Sequence, residues 1–172
     1  MSKVRSFAPV LGAGPRILIL GSMPGVASLE AQQYYAHPRN AFWPIMQAIF
    51  DIDVQQSYES RVRQLTERGV ALWDVLASCV RPGSLDASID ATTVQANDLP
   101  GLLLAAPSIS GIFFNGQMAE TVFKRHVLKR FSDTQVNLPR CRLPSTSPAN
   151  ASWSFERKLA AWRAIKHGID AG

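Results

Sequence analysis

At 172 residues, 47% of them hydrophobic and 18% charged, the chain is long enough to bury a substantial core and too apolar for a disordered segment. The formal charge of +5 and an isoelectric point near 9.6 favour an anionic partner. No apolar run approaches the ~20 residues of a membrane span, and Cys79 and Cys141 alone cannot build a disulfide framework or a four-cysteine metal site.

In chain order, the first predicted strand is "RILIL" (16–20), a short apolar run closed by glycine. "NAFWPIMQAIF" (40–50) reads as an apolar helix, with Pro44 tolerated only in its first turn. "SYESRVRQLTERG" (57–69) opens on Ser57 as a cap and stops at Gly69. "VALWDVL" (70–76) is the second strand, and 78–97 reads as a long connection with room for one short helix. A helix over 98–107, the strand "SGIFFN" (110–115), a helix over 116–131 and the strand "CRLPS" (141–145) follow. The last helix, 152–168, places Phe155, Leu159, Trp162 and Ile165 on one stripe and stops at Gly168. Alternating strands and helices predict one α/β domain, with a central, mostly parallel four-stranded sheet between helical layers.

In such folds ligands sit beyond the carboxyl ends of the strands. Four post-strand segments therefore become candidates: "GSMPG…YYAHPRNAFW", "ASCVRPGS", "NGQM" and "STSPANAS". In "GSMPG", Gly21 and Gly25 allow close backbone approach, and a plain turn explains them as well as a binding loop does. Tyr34 and Tyr35 bring aromatic faces into a connection, where they could stack on a nucleobase. Asn40 suits either a helix cap or a ligand contact, and His37 is more simply structural than a general base. Asn115 offers an acceptor and two donors to a base edge, although an Asn-Gly turn accounts for it equally. Ser145, Thr146 and Ser147 supply hydroxyls and backbone amides for a phosphate, with Asn150 or Ser152 capping the helix beyond.

Charge is unevenly spread. Residues 1–50 carry four basic and one acidic side chain (+3), 51–119 four and eight (−4), and 120–172 ten and four (+6). Two basic ends around an acidic middle fit a polyanion on one face. No Ser-His-Asp elbow, metal-ligand cluster or carboxylate pair stands in these loops, so no cofactor or metal is expected. Asp74 is the only acid inside a predicted strand. Any chemistry then rests on a water positioned by amides against a reactive electrophile.

Taken together, "GSMPG", "YYAHPRNAFW", "FFNGQ" and "LPSTSPANA", in this order after successive strands, resemble the uracil-DNA glycosylase superfamily over residues 16–166. Within it they look most like the hypoxanthine-DNA glycosylases (DNA-deoxyinosine glycosylases), then the mismatch-specific uracil/thymine enzymes. The resemblance implies a three-layer α/β/α fold and hydrolysis of an N-glycosidic bond in DNA on a nucleotide flipped out of the duplex. It assigns stacking on the base to Tyr35, a pocket wall to Ser28, catalysis to Asn40, and the base edge to Asn115. Ser145, Ser147 and Pro148 fall in the motif that grips DNA backbone phosphate. Many relatives carry Asp or Asn where this chain has Met23, so Met23 is expected as an apolar pocket wall, with Asn40 left to position water. No lysine sits in these motifs as a Schiff-base nucleophile, which implies a monofunctional glycosylase of base excision repair. The expected setting is a cytoplasmic monomer acting on DNA with deaminated bases and no membrane. The alternatives are a uracil or mismatch-specific glycosylase and a non-catalytic nucleic-acid-binding domain of the same fold.

Overall fold

A computed structural model of the protein describes residues 2–171. Its centre is a sheet of four strands, β2 (Ile17–Gly21), β3 (Val70–Asp74), β6 (Gly111–Asn115) and β7 (Arg140–Leu143). They pair in the order β3-β2-β6-β7, every neighbouring pair parallel. The two central strands read as unbroken apolar runs because parallel strands are covered on both faces. Side chains alternate accordingly. Leu18, Leu20, Ile112 and Phe114 pack under α4 (Leu99–Ala105) and α5 (Gln117–His126). Ile17, Ile19, Val70, Leu72 and Phe113 face α2 (Phe42–Phe50), α3 (Tyr58–Glu67), α7 (Phe155–Trp162) and α8 (Ala164–Ala171). The expected three layers are present.

Helix termini follow local chemistry. Ser57 caps α3 by accepting from the Ser60 N–H at 3.2 Å, as its sequence suggests. Pro44 lies in the first turn of α2, where a missing N–H costs nothing. Ser154, rather than Asn150 or Ser152, caps α7 through the Arg157 N–H. The final helix is two helices parted at Arg163, and Gly168 lies inside α8 rather than ending it. A Cβ at Gly168 would come within 2.9 Å of the Phe113 ring, so this glycine lets α8 lie close on the sheet.

The largest departure lies between residues 70 and 97. The predicted strand 70–76 ends at Asp74 and restarts as β4 (Leu76–Val80). The expected connection then contains a 3-10 turn at Asp86–Ser88 and a further strand, β5 (Asp90–Ala96). With β1 (Lys3–Arg5) these form a second, antiparallel sheet in the order β1-β4-β5. Two short helices, α1 (Val26–Ala31) and α6 (Asp133–Val136), are also additional to the predicted set.

Candidate active site

Because the four central strands are parallel, their carboxyl ends share one edge, occupied by Gly21, Asp74, Asn115 and Leu143. Gly21 stands opposite Asp74 in the ladder. A Cβ there would lie 2.5 Å from Asp74 Oδ1 and 3.6 Å from the Tyr35 hydroxyl, so the bare glycine makes room for both groups. Tyr35 has a left-handed backbone (φ +57°) and stacks on Phe42 at 4.1 Å between ring centres. That conformation is costly outside glycine and is typical of functional loops.

The Tyr35 hydroxyl and Asp74 Oδ2 are the two buried side-chain polar atoms without a hydrogen-bond partner among the described residues. Such atoms are rare enough in native interiors to need a reason. The Asn115 side chain adjoins the hydroxyl without closing a hydrogen bond. Asp74 is 4% exposed. Burial, reinforced by the charge of Asp86 and opposed by Arg81, pushes its pKa up to about 7. Near neutrality much of it is therefore a neutral carboxyl, with one donor and one acceptor side by side. Burial likewise raises the Tyr35 phenol.

The other residues singled out from the sequence spread around this edge. Asn40 precedes α2, and its Oδ1 accepts from the Phe42 N–H at 2.9 Å, a cap-type bond one residue ahead of the formal cap, Ala41. The amide oxygen keeps a second lone pair and the NH₂ keeps its donors. Ser28 is buried, and its Oγ accepts from the Ala36 N–H at 3.1 Å, fixing the chain just after Tyr35. Asn115 is committed more fully than a free base reader would be. Its Oδ1 accepts from the Thr146 N–H and its Nδ2 donates to Thr146 Oγ1, both at 2.9 Å. Thr146 also accepts from the Ala41 N–H, tying the last loop to the start of α2. Gly116, at φ +95°, turns the chain tightly enough that a Cβ would meet Ser145 at 3.0 Å.

Met23 is buried in the cluster under α4 and α5, whereas Tyr35 packs with the opposite cluster. Ser145 Oγ accepts from the Ser147 N–H and Ser147 Oγ from the Ala149 N–H, leaving both O–H groups as donors beside Pro148. His37 Nδ1 accepts from the Arg39 N–H, a local turn contact. Tyr34 belongs to the core, its hydroxyl donating to the Ala8 carbonyl.

Four contributors were not singled out in the sequence, although two of them, Arg81 and Ser84, stand in the candidate segment "ASCVRPGS". The segment 81–86 grips the "GSMPG" loop at successive positions. Arg81, 3% exposed, donates from Nη1 to the Met23 carbonyl at 3.4 Å, from Nη2 to the Pro24 carbonyl and from Nε to the Gly83 carbonyl at 2.8 Å. Ser84 Oγ accepts from the Val26 N–H, and Asp86 accepts from the Ser22 hydroxyl at 2.7 Å. Lys158 reaches the last loop from α7. Lys158 had a signal of its own, because position 158 falls on the apolar stripe of its helix.

The sequence model of the Uracil DNA glycosylase superfamily matches residues 9–166. A hypoxanthine DNA glycosylase of Methanosarcina acetivorans is 34% identical over 162 residues, 94% of this chain and 96% of that one. Another, of Methanosarcina barkeri, is 36% identical over 116 residues, 67% of this chain and 72% of that one. A solution NMR structure from Methanosarcina acetivorans, provisionally assigned as a uracil DNA glycosylase, superposes with a TM-score of 0.80 at 32% identity. It covers 98% of this chain and 99% of its own. With one sheet edge gathering the strand-end segments and the match running through all of them, the chain belongs to the uracil DNA glycosylase superfamily.

Proposed function

We propose that the protein is a DNA glycosylase that hydrolyses the bond between deoxyribose and a deaminated base, hypoxanthine foremost. The observation that carries this reading is the match to two relatives named hypoxanthine DNA glycosylase, one over 94% of this chain and the other over 67%. The Tyr35 hydroxyl and Asp74 Oδ2, buried at the strand ends without partners, are the groups left to meet the edge of a base.

In this mechanism the damaged nucleotide leaves the duplex and its base stacks on the face of Tyr35 away from Phe42. Asp74, neutral, and the Tyr35 hydroxyl meet the polar edge of the base. Hypoxanthine presents an N–H beside a C=O, and a carboxyl's paired acceptor and donor match that edge. Donation to the base stabilises the negative charge that develops as the C1′–N9 bond breaks. Asn40 accepts a hydrogen bond from a water and aims its oxygen at C1′. The water adds to C1′, the bonding pair leaves with the purine, and the purine takes up a proton. An amide cannot act as a strong base, which suits only good leaving groups and spares adenine and guanine. The commitment of Asn115 to Thr146 favours a role in holding the last loop over direct reading of the base.

A panel of labelled duplexes, each with one deoxyinosine, deoxyuridine, deoxyxanthosine or unmodified base in the same context, tests the reading. Alkali-labile sites should form at deoxyinosine and not at unmodified purines. Binding to every duplex with no abasic product would reduce the protein to a non-catalytic binder.

A further inference from the structure

Positions 155, 158, 159 and 162 of α7 share one helical face. Trp162 is fully buried on it and Leu159 packs against the same cluster, yet position 158 is a lysine only 6% exposed. Its ammonium donates to the Ser147 carbonyl at 3.4 Å. Among the described residues the two side-chain ion pairs lie elsewhere, between Glu120 and Lys124 or Arg142, so Lys158 has no carboxylate partner. An ammonium has three donors, and this one uses a single long bond. Burying a charge without a partner is costly, and a methionine would fill the same stripe without that cost. Desolvation accordingly lowers its pKa.

The one hydrogen bond of the ammonium goes to the last strand-end loop. In that loop stand Ser145 and Ser147, whose O–H groups remain free to donate, and the turn held by Asn150, which donates to the Ser145 carbonyl at 3.1 Å. A loop with free hydroxyl donors beside a buried cation is complementary to an anion that the described residues do not supply. We propose that Lys158 is the buried counter-charge of a phosphodiester-binding site whose outer surface is the loop of Ser145 and Ser147. On the glycosylase reading, from which this inference follows, the anion is a backbone phosphate of the DNA. Lys158 then holds the duplex and takes no part in bond breaking.

The test uses the full-length protein and a duplex with one non-hydrolysable abasic analogue (tetrahydrofuran), titrated across a range of salt. Lys158→Met should weaken binding roughly tenfold, as expected for a lost hydrogen bond to a charged group. The same variant should flatten the slope of log affinity against log salt by about 1 unit. Its thermal midpoint should stay level or rise, because a buried charge is gone. Lys158→Arg should keep the wild-type slope. Lys158→Gln, similar in length and able to serve the Ser147 carbonyl, decides the question should the methionine variant fold poorly. An unchanged slope in a folded Met or Gln variant overturns the proposal, as does a borohydride-trapped adduct with an abasic duplex that requires Lys158. Wild-type excision measured alongside separates the two readings: an active enzyme with an unchanged slope sinks only the lysine's role, and an inactive one sinks the glycosylase.

Discussion

At the residue scale, the site's character comes from Asp74, whose carboxyl pKa burial holds well above the ordinary carboxylate range. In the unfolded chain Asp74 ionises near its ordinary pKa of 3.8, but in the folded protein only near 7. The folded state therefore binds the extra proton between those values, and stability falls as pH rises from about 4 to about 7. The full loss is on the order of 4 kcal/mol. Asp74→Asn keeps the shape and cannot ionise, so its melting temperature should exceed the wild type's at pH 8 and converge with it near pH 4. If the neutral carboxyl serves the base, wild-type excision should also decline as pH rises through 7, and the asparagine variant should lack that limb. Tyr34, Tyr35, Asp86 and Arg81 are the titratable groups facing Asp74. Tyr35 divides into ring and hydroxyl. Tyr35→Ala should cost ~1–3 kcal/mol in engaging the flipped base, and Tyr35→Phe, which keeps the ring, should lose far less. Equal losses in the two would mean that stacking is not what Tyr35 contributes.

At the element scale, the second sheet acts as a bracket for the first strand-end loop. Arg81 carries it, with three carbonyls on one buried guanidinium. Arg81→Leu should lower stability by roughly 2–4 kcal/mol, measured by denaturant unfolding, since it orphans the Met23, Pro24 and Gly83 carbonyls. Arg81→Lys should recover little of it, because a single ammonium cannot span that fork. This bracket also marks the limit of what the sequence makes legible. β2, β3 and β6 were readable because burial on both faces writes an apolar run such as Ile17–Leu20, whereas the edge strand β7 is largely exposed. β5, with "DATTVQA" half exposed, writes no such run, and its pairing with β4 depends on partners distant in sequence. The strand-end rule points to the edge that gathers Gly21, Asp74, Asn115 and Leu143, and Asp74 was visible there as the lone strand acid. Neither Arg81, although inside the candidate segment "ASCVRPGS", nor Lys158, although on the apolar stripe of its helix, was singled out, since the residue type alone does not record burial. Asn40 was legible as both cap and ligand contact, and the cap-type bond to Phe42 is present without exhausting its amide.

At the scale of the whole molecule, the basic excess of residues 120–172 is partly spent inside the protein. Glu120 lies 3.8 Å from Lys124 and 3.6 Å from Arg142, and Arg140 donates to the Val136 carbonyl at 2.9 Å. If this face touches DNA, Glu120→Gln should tighten duplex binding a few-fold at low salt by releasing two cations, an effect that added salt should erase. An unchanged affinity would move the DNA track off this face. The proposed mechanism rests on a water aimed by Asn40 at a base held over the strand ends. Its most direct test is single-turnover release of hypoxanthine from a deoxyinosine duplex, by the wild type and by Asn40→Ala, with binding measured on the same samples. The wild type should release the base, and Asn40→Ala should do so ~10²-fold more slowly or worse, the scale for a lost positioning group, with its affinity intact. No release by the wild type, or a wild-type rate from a folded Asn40→Ala, would contradict the account.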